Sequence, residues 1–317
     1  MLYFLGVDSG GTKSEVALLA GDGAVLNTAM GAPLHMHIRA NARVIHLLRD
    51  LVDYTLKPTG VTWEQIDHFG FGLSGADFAD EVRGQHRAFC RALKIAPERL
   101  TLVNDGVVAL WGGSDAERAV ILQLGTAFTS AYRARFGDEA PLDHLNAGVQ
   151  FEIRRYLLTT VARIVDGREK PSILRQLVRE HYGFADETTM LKTATRGKLD
   201  RVMTLFVISV LNDAVAQGDE VAIRLVHDAA DYYLRDVVFL IDKVGGGEVD
   251  VVLGGGLLLN GPPLLRDVLA QKIKAARPPV SVHTPHLSPA IGGAVMAAFY
   301  AGQDHHAVFR RAVATNK

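Results

Sequence analysis

The apolar runs Tyr3 to Val7 and Ser14 to Leu19 are separated only by Asp8-Ser9-Gly10-Gly11-Thr12-Lys13, and Gly21-Asp22-Gly23 then turns the chain into Ala24 to Leu26. Strand-forming runs around so short a glycine-rich turn read as a β-hairpin with a third strand behind it. The arrangement recurs about 117 residues later, as in an internal duplication. There Ala119 to Leu124 and Ser130 to Ala134 read as strands around the small-residue turn at Gly125-Thr126. Between the two hairpins, Ala42 to Leu56 and Asp77 to Leu93 carry apolar residues at helical spacing, Trp63-Glu64-Gln65-Ile66 reads as a helix start, and Val107 to Trp111 as a helix. His68 to Leu73 and Leu100 to Val103 read as strands, so the first unit has the order βββαβαβα, a mixed-sheet α/β unit.

The second unit continues with helices from Phe151 to Val165 and from Leu199 to Val244, broken at Gln217-Gly218-Asp219. A strand from Asp250 to Leu253 runs into Gly254-Gly255-Gly256, Pro262 to Ala276 is helical, Val280 to Val282 is a strand, and Pro285 to Ala301 ends the fold with an Ala/Gly-rich helix. The last residues read as a frayed tail.

Composition narrows the partners. Over 317 residues, 34 basic side chains meet 35 acidic ones, and a net charge of -1 disfavours a dedicated binder of nucleic acid or of membrane surfaces. No apolar run approaches the roughly 20 residues of a membrane span. The single cysteine, Cys90, excludes a disulfide framework, a Cys-rich zinc site and an iron–sulfur cluster built within one chain, and points to a reducing cytoplasm. Among the 12 histidines there is no HExxH motif.

Three turns could carry chemistry. In Asp8 to Ser14, consecutive glycines let several backbone N–H groups point into one concavity suited to phosphate oxygens, Thr12 adds a hydroxyl, and Asp8 at a strand end can hold Mg²⁺ through water. A P-loop would need glycine where Thr12 stands, and the bland alternative is an ordinary capped hairpin turn. Gly125-Thr126 holds the matching place in the second unit, so that the two turns could clamp a polyphosphate between them, although Phe128 is more often a core residue than a ligand. Asn104-Asp105-Gly106 stands at a strand end before a helix, where Asp105 could take the proton of an attacking hydroxyl or the pair could merely cap the helix. Gly254 to Gly256 would let backbone approach a flat ligand, or form a tight strand-to-helix turn. Gly292-Gly293-Ala294 favours close packing. Gly70-Phe71-Gly72-Leu73-Ser74-Gly75 matches a dinucleotide fingerprint literally, but its first two glycines fall inside a strand and no acid follows at the required distance.

In this order, Asp8-Ser9-Gly10-Gly11-Thr12-Lys13, Gly72-Leu73-Ser74-Gly75-Ala76-Asp77, Asn104-Asp105-Gly106, Leu124-Gly125-Thr126 and Val252-Leu253-Gly254-Gly255-Gly256 resemble the BadF/BadG/BcrA/BcrD ATPase family of the actin, sugar kinase and Hsp70 superfamily. The N-acetylglucosamine and glucosamine kinases are its best-known relatives, and the resemblance runs from Tyr3 to about Ala298. It implies two duplicated α/β domains of ribonuclease H-like, actin-like ATPase type around a nucleotide cleft, residues 1–117 and 118–288, with a final helix in 289–317 packing back on the first. It also implies ATP and Mg²⁺ as cofactors, with Asp8, Gly10, Gly11, Thr12 and Lys13 as the first phosphate loop, Asp8 as the metal residue, Gly125 and Thr126 as the second loop, and Gly254, Gly255 and Gly256 at the adenosine. Asp105 falls on the base, and Gly75, Ala76 and Asn104 lie beside the acceptor.

The chain departs from the pattern in two places. Ala127 and Phe128 replace a glycine and a serine of the second loop, weakening phosphate contact there, and Asn146 stands where the family carries a sugar-contacting aspartate. His35, His144 and Asn146 would then line an altered acceptor pocket. The expected activity is ATP-dependent phosphorylation of a sugar or amino-sugar hydroxyl by a cytoplasmic enzyme, with a homodimer as the commonest assembly. The alternative is a nucleotide-binding protein of the same fold that has lost transfer. The resembled family also contains ATPases that activate a radical dehydratase, but their shared iron–sulfur cluster needs two cysteines from each chain and this chain has only Cys90, which sets that option aside.

Overall fold

The computed structural model describes residues 1–11, 13–34, 42–125, 128–142, 153–196 and 202–316. Strands β1 (Tyr3–Ser9), β2 (Ser14–Ala20) and β3 (Val25–Gly31) are followed by helix α1 (Ala42–Leu56), β4 (His68–Leu73), α2 (Ala79–Leu93), β5 (Leu100–Asn104) and α3 (Asp105–Gly113). The second series holds β6 (Ala119–Leu124), β7 (Phe128–Arg135), β8 (Asp138–Pro141) and the helices α4 (Ile153–Val165), α5 (Leu174–His181), α6 (Glu187–Arg196), α7 (Val202–Ala216) and α8 (Glu220–Lys243). It closes with β9 (Val249–Gly254), α9 (Gly256–Asn260), α10 (Pro263–Ala276), β10 (Val280–His283), α11 (Pro289–Tyr300) and α12 (His305–Thr315).

The described strands make two five-stranded sheets, in the orders β3-β2-β1-β4-β5 and β8-β7-β6-β9-β10. In each, the first three strands are antiparallel and the last two run parallel to the first. The duplication expected from the two hairpins is therefore a duplication of whole sheets, with β6 repeating β1 and α11 standing where α3 stands.

Strand alternation sorts the core into layers. Leu5 and Val7 of β1, with Phe69, Phe71 and Leu73 of β4, face α1 and α2 in one apolar cluster. Phe4, on the other face of β1, joins α3, α11 and α12 in a middle cluster between the sheets. A third cluster gathers the far face of the second sheet with α4, α5, α7, α8 and α10.

The glycines of the apparent dinucleotide fingerprint serve this packing. A Cβ on Gly70 would stand 2.0 Å from the carbonyl oxygen of Gly293, and one on Gly72 would stand 2.0 Å from Val108 Cγ2, because α11 and α3 lie directly on those strand positions. Gly6 is held in the same way, its Cβ site 1.9 Å from the Ala290 carbonyl oxygen.

Several local expectations are corrected. The start seen at Trp63 is a single 3₁₀ turn, Trp63–Gln65, closed by a reciprocal Thr62–Gln65 cap rather than extended into a helix. Strand β8 was missed, since Asp138-Glu139-Ala140-Pro141 has little strand propensity and owes its place to pairing with β7. The end of the chain does not fray. Asp304 caps α12, and Val308, Phe309 and Ala312 are buried in the middle cluster, so the terminal stretch is two helices rather than one.

Candidate active site

The carboxyl ends of β1, β4 and β5 lie side by side, with Asp8 paired to Gly72 and Leu73 to Asn104. This register brings the first turn, the Ser74-Gly75-Ala76 segment and the start of α3 to one edge of the first sheet. The strands are joined there by hydrogen bonds from Ser74 N–H to the Ser9 carbonyl (2.9 Å) and from Gly10 N–H to the Lys13 carbonyl (3.1 Å). Gly10 does not adopt a left-handed backbone. A Cβ there would meet only the Lys13 carbonyl oxygen at 3.7 Å, so glycine at this position leaves the backbone uncovered.

Asp8 is almost fully buried, and its carboxyl is held well above the usual carboxylate range, chiefly by burial, then by the negative charges of Asp105 and Glu15, with Lys13 opposing. Glu15, also buried, accepts a 2.7 Å hydrogen bond from the Ser288 hydroxyl and lies 3.7 Å from Lys13 Nζ. Asp105 and Glu15 act electrostatically on Asp8, and hard carboxylate oxygens are the donor type that Mg²⁺ takes. Among the described residues no three His, Cys, Asp or Glu side chains are placed to hold one ion directly. Glu15 and Ser288 escaped the sequence reading. The signal available was the polar pair Ser14-Glu15 opening an otherwise apolar strand.

Asn104 is the N-cap of α3: its Oδ1 accepts from Gly106 N–H at 2.7 Å, and its Nδ2 donates to Asp77 Oδ1 at 2.7 Å. Buried and held at both ends of its amide, it serves the helix start directly. Asp105 is the first residue of α3, and its Oδ1 also accepts from Gly106 N–H, at 3.0 Å. In the segment after β4, Gly75 adopts a left-handed φ of 82°, its carbonyl oxygen accepts from Gln85 Nε2 at 2.7 Å, and Ala76 is buried.

The second half reaches the same place. A Cβ on Gly106 would stand 2.7 Å from Thr129 Cγ2 of β7, so the start of α3 abuts the second hairpin while the cap of α11, Ser288, grips the first through Glu15. Gly125 is exposed at the end of β6, and Gly255, at φ 84°, packs against it: its Cβ site is 2.6 Å from the Leu124 backbone. The end of β6 at Leu124-Gly125 and the Gly254 to Gly256 turn are thus neighbours. Gly254 has an ordinary φ and pairs with Gln123, and Gly256 opens α9. Phe128 lies in the third cluster, stacked on Tyr233 with ring centroids 6.0 Å apart. Thr12, Thr126, Ala127, His35, His144 and Asn146 lie outside the described residues.

Residues 5–139 match the model of the BadF/BadG/BcrA/BcrD ATPase family. The matched residues include Asp8, Asp105 and Gly125, so the match bears out the resemblance read from the turns of that part of the chain. Over nearly its full length the chain is similar to the N-acetylmuramic acid/N-acetylglucosamine kinase of Clostridium acetobutylicum, 22% identical over 303 residues that cover 94% of this chain and 98% of that one. A Chromobacterium violaceum protein assigned as an N-acetylglucosamine kinase has the same fold (TM-score 0.68, 22% identity, 93% of this chain and 98% of that one). So does a ROK family glucokinase from Streptomyces griseus solved with glucose and AMPPNP (TM-score 0.60, 17% identity, 92% and 98%). The fold of two mixed five-stranded sheets with helices is the one these two solved structures share.

Proposed function

We propose that this chain is an ATP-dependent kinase that transfers the γ-phosphoryl group to a hydroxyl of a sugar or amino sugar. The observation that carries the reading is the place of Asp105: at the end of β5, within the electrostatic reach of Asp8, on a helix whose next residue touches the second hairpin. A carboxylate between two opposed turns can accept a proton from an alcohol aimed at a phosphate held by both. The full-length similarity to a kinase of N-acetylmuramic acid and N-acetylglucosamine supports the substrate class.

In this reading the first turn, with Gly10, Gly11, Thr12 and Lys13, and the second, with Gly125 and Thr126, hold the phosphates, and Gly254 to Gly256 approach the adenosine. Asp105 takes the hydroxyl proton as the new O–P bond forms and the bond to the bridging oxygen breaks, releasing ADP. Bound with the nucleotide, Mg²⁺ supplies positive charge to the phosphate oxygens, and Asp8 is the residue that would hold it. Gly75, Ala76, His35, His144 and Asn146 are proposed to shape the acceptor pocket. We take residues 1–117 and 118–288 as the two domains, whose closure over the cleft would exclude water as a competing acceptor. The burial of Phe128 in the third cluster favours an active second turn, because its ring does not occupy the cleft.

Phosphoryl transfer over a panel of sugars and amino sugars, alongside calorimetric titration with ATP, tests the reading. Asp105→Asn should lose about 10²- to 10⁴-fold in turnover with ATP binding largely intact. Full activity of that variant would remove Asp105 as the base, and ATP binding without transfer to any sugar would favour the nucleotide-binding alternative.

A further inference from the structure

A continuous run of hydrogen bonds joins the start of α2 to the start of α3. Glu81 Oε2 accepts from the backbone N–H groups of Asp77 (3.1 Å) and Phe78 (3.0 Å), fixing the segment that enters α2. Asp77 Oδ1 then accepts from Asn104 Nδ2 (2.7 Å), and Asn104 Oδ1 accepts from Gly106 N–H (2.7 Å). That same N–H is shared with Asp105 Oδ1 at 3.0 Å. Asn104 and Asp105 therefore share one donor, and the bond that Asn104 Nδ2 donates to Asp77 holds the amide with its oxygen toward that donor. An asparagine amide has a fixed sense, oxygen at one end and donors at the other, so anchoring its nitrogen also aims its oxygen.

We infer that Asp77 is a positioning residue for the reaction proposed above: by holding the Asn104 amide it keeps Gly106 N–H shared between the helix cap and Asp105, so that the Asp105 carboxylate is not drawn wholly onto its own helix. The inference rests on the kinase reading for its consequence but not for its geometry. Without Asp77, the Asn104 amide is free to rotate, Gly106 N–H passes to Asp105, and the base is drawn back onto its own helix. The role belongs to hydrogen-bond acceptance, which an amide oxygen can also provide, and not to the charge of Asp77.

The test compares Asp77→Ala with Asp77→Asn in the full-length protein, by steady-state kinetics and by crystal structures. The expected result is a fall in kcat of about 10- to 100-fold for Asp77→Ala, the loss associated with a misplaced reacting group, with the KM for ATP changed by no more than about twofold. Asp77→Asn should recover most of that loss. In the crystals, the Asn104 Oδ1 to Gly106 N distance should open beyond hydrogen-bond range in Asp77→Ala alone. Equal losses in the two variants would overturn the inference and give the carboxylate a direct part in the chemistry, and so would wild-type kcat in Asp77→Ala. If Asp77→Ala does not fold, Asp77→Ser, whose hydroxyl falls short of Asn104, makes the same comparison. If the wild-type protein transfers phosphate to no sugar, the kinase reading fails separately, and the Asn104 to Gly106 distance alone decides: intact in Asp77→Ala, it overturns the relay.

Discussion

Gly292 of α11 meets Gly112 of α3 so closely that a Cβ on Gly292 would lie 2.2 Å from the Gly112 nitrogen and 2.2 Å from the Val108 carbonyl oxygen. The two helices occupy equivalent places in the two halves, and at this crossing no side chain separates them. Gly292→Val should therefore force the helices apart and cost more than the roughly 1–3 kcal/mol usual for an overpacked core, because the obstruction is backbone. Denaturant unfolding monitored by far-UV circular dichroism checks this; a midpoint equal to the wild type would contradict the close crossing.

Phe128 departs from the serine of the resembled motif, and restoring the motif invites the variant Phe128→Ser. The ring is buried in the second half and stacked on Tyr233, so its loss should cost about 3–5 kcal/mol in stability without raising phosphoryl transfer. Thermal unfolding and the sugar-panel assay on the same preparation give both answers.

Glu139 sits near Arg133, a fully buried guanidinium that donates to the carbonyl oxygens of Ser114 and Ala116. Burial pushes the Glu139 carboxyl up to about 7, with Arg133 opposing. Its folded-state value thus lies above its unfolded one, so the folded state keeps its proton longer and stability falls as pH rises between about 4.5 and 7. Glu139→Gln does not titrate. Relative to the wild type it should gain across that window by roughly 3 kcal/mol at most, then hold level at higher pH. Unfolding free energies of both proteins at pH 5 and pH 8 test the sign, and a difference independent of pH would refute it.

What could be read from the residues followed from local rules. The two hairpins, the strand at His68 to Leu73 and the break at Gln217-Gly218-Asp219 were legible because turn chemistry and periodicity act over a few residues. Strand β8 was not legible, since only its partner β7 makes it a strand, and α12 was hidden because the apolar positions Val308, Phe309 and Ala312 are too few to announce a buried face. At the candidate site, Asp8, Asn104 and Asp105 stood out because each is a polar residue at the end of an apolar strand. Glu15 and Ser288 did not, since they are 273 residues apart and their bond exists only after the second half folds back on the first. Asp77 stands within the motif Gly72 to Asp77, but its link to Asn104 depends on the register of β4 with β5.

The seating of α11 on β1, β2 and β4 has a consequence for biosynthesis. A ribosome delivers the strands of the first sheet long before residues 289–300, and until then one face of that sheet, with the bare backbone at Gly6 and Gly70, lacks its cover. The early half of the nascent chain must wait in an unfinished state for its own last helices, and it is during that interval that a chaperone would have something to hold.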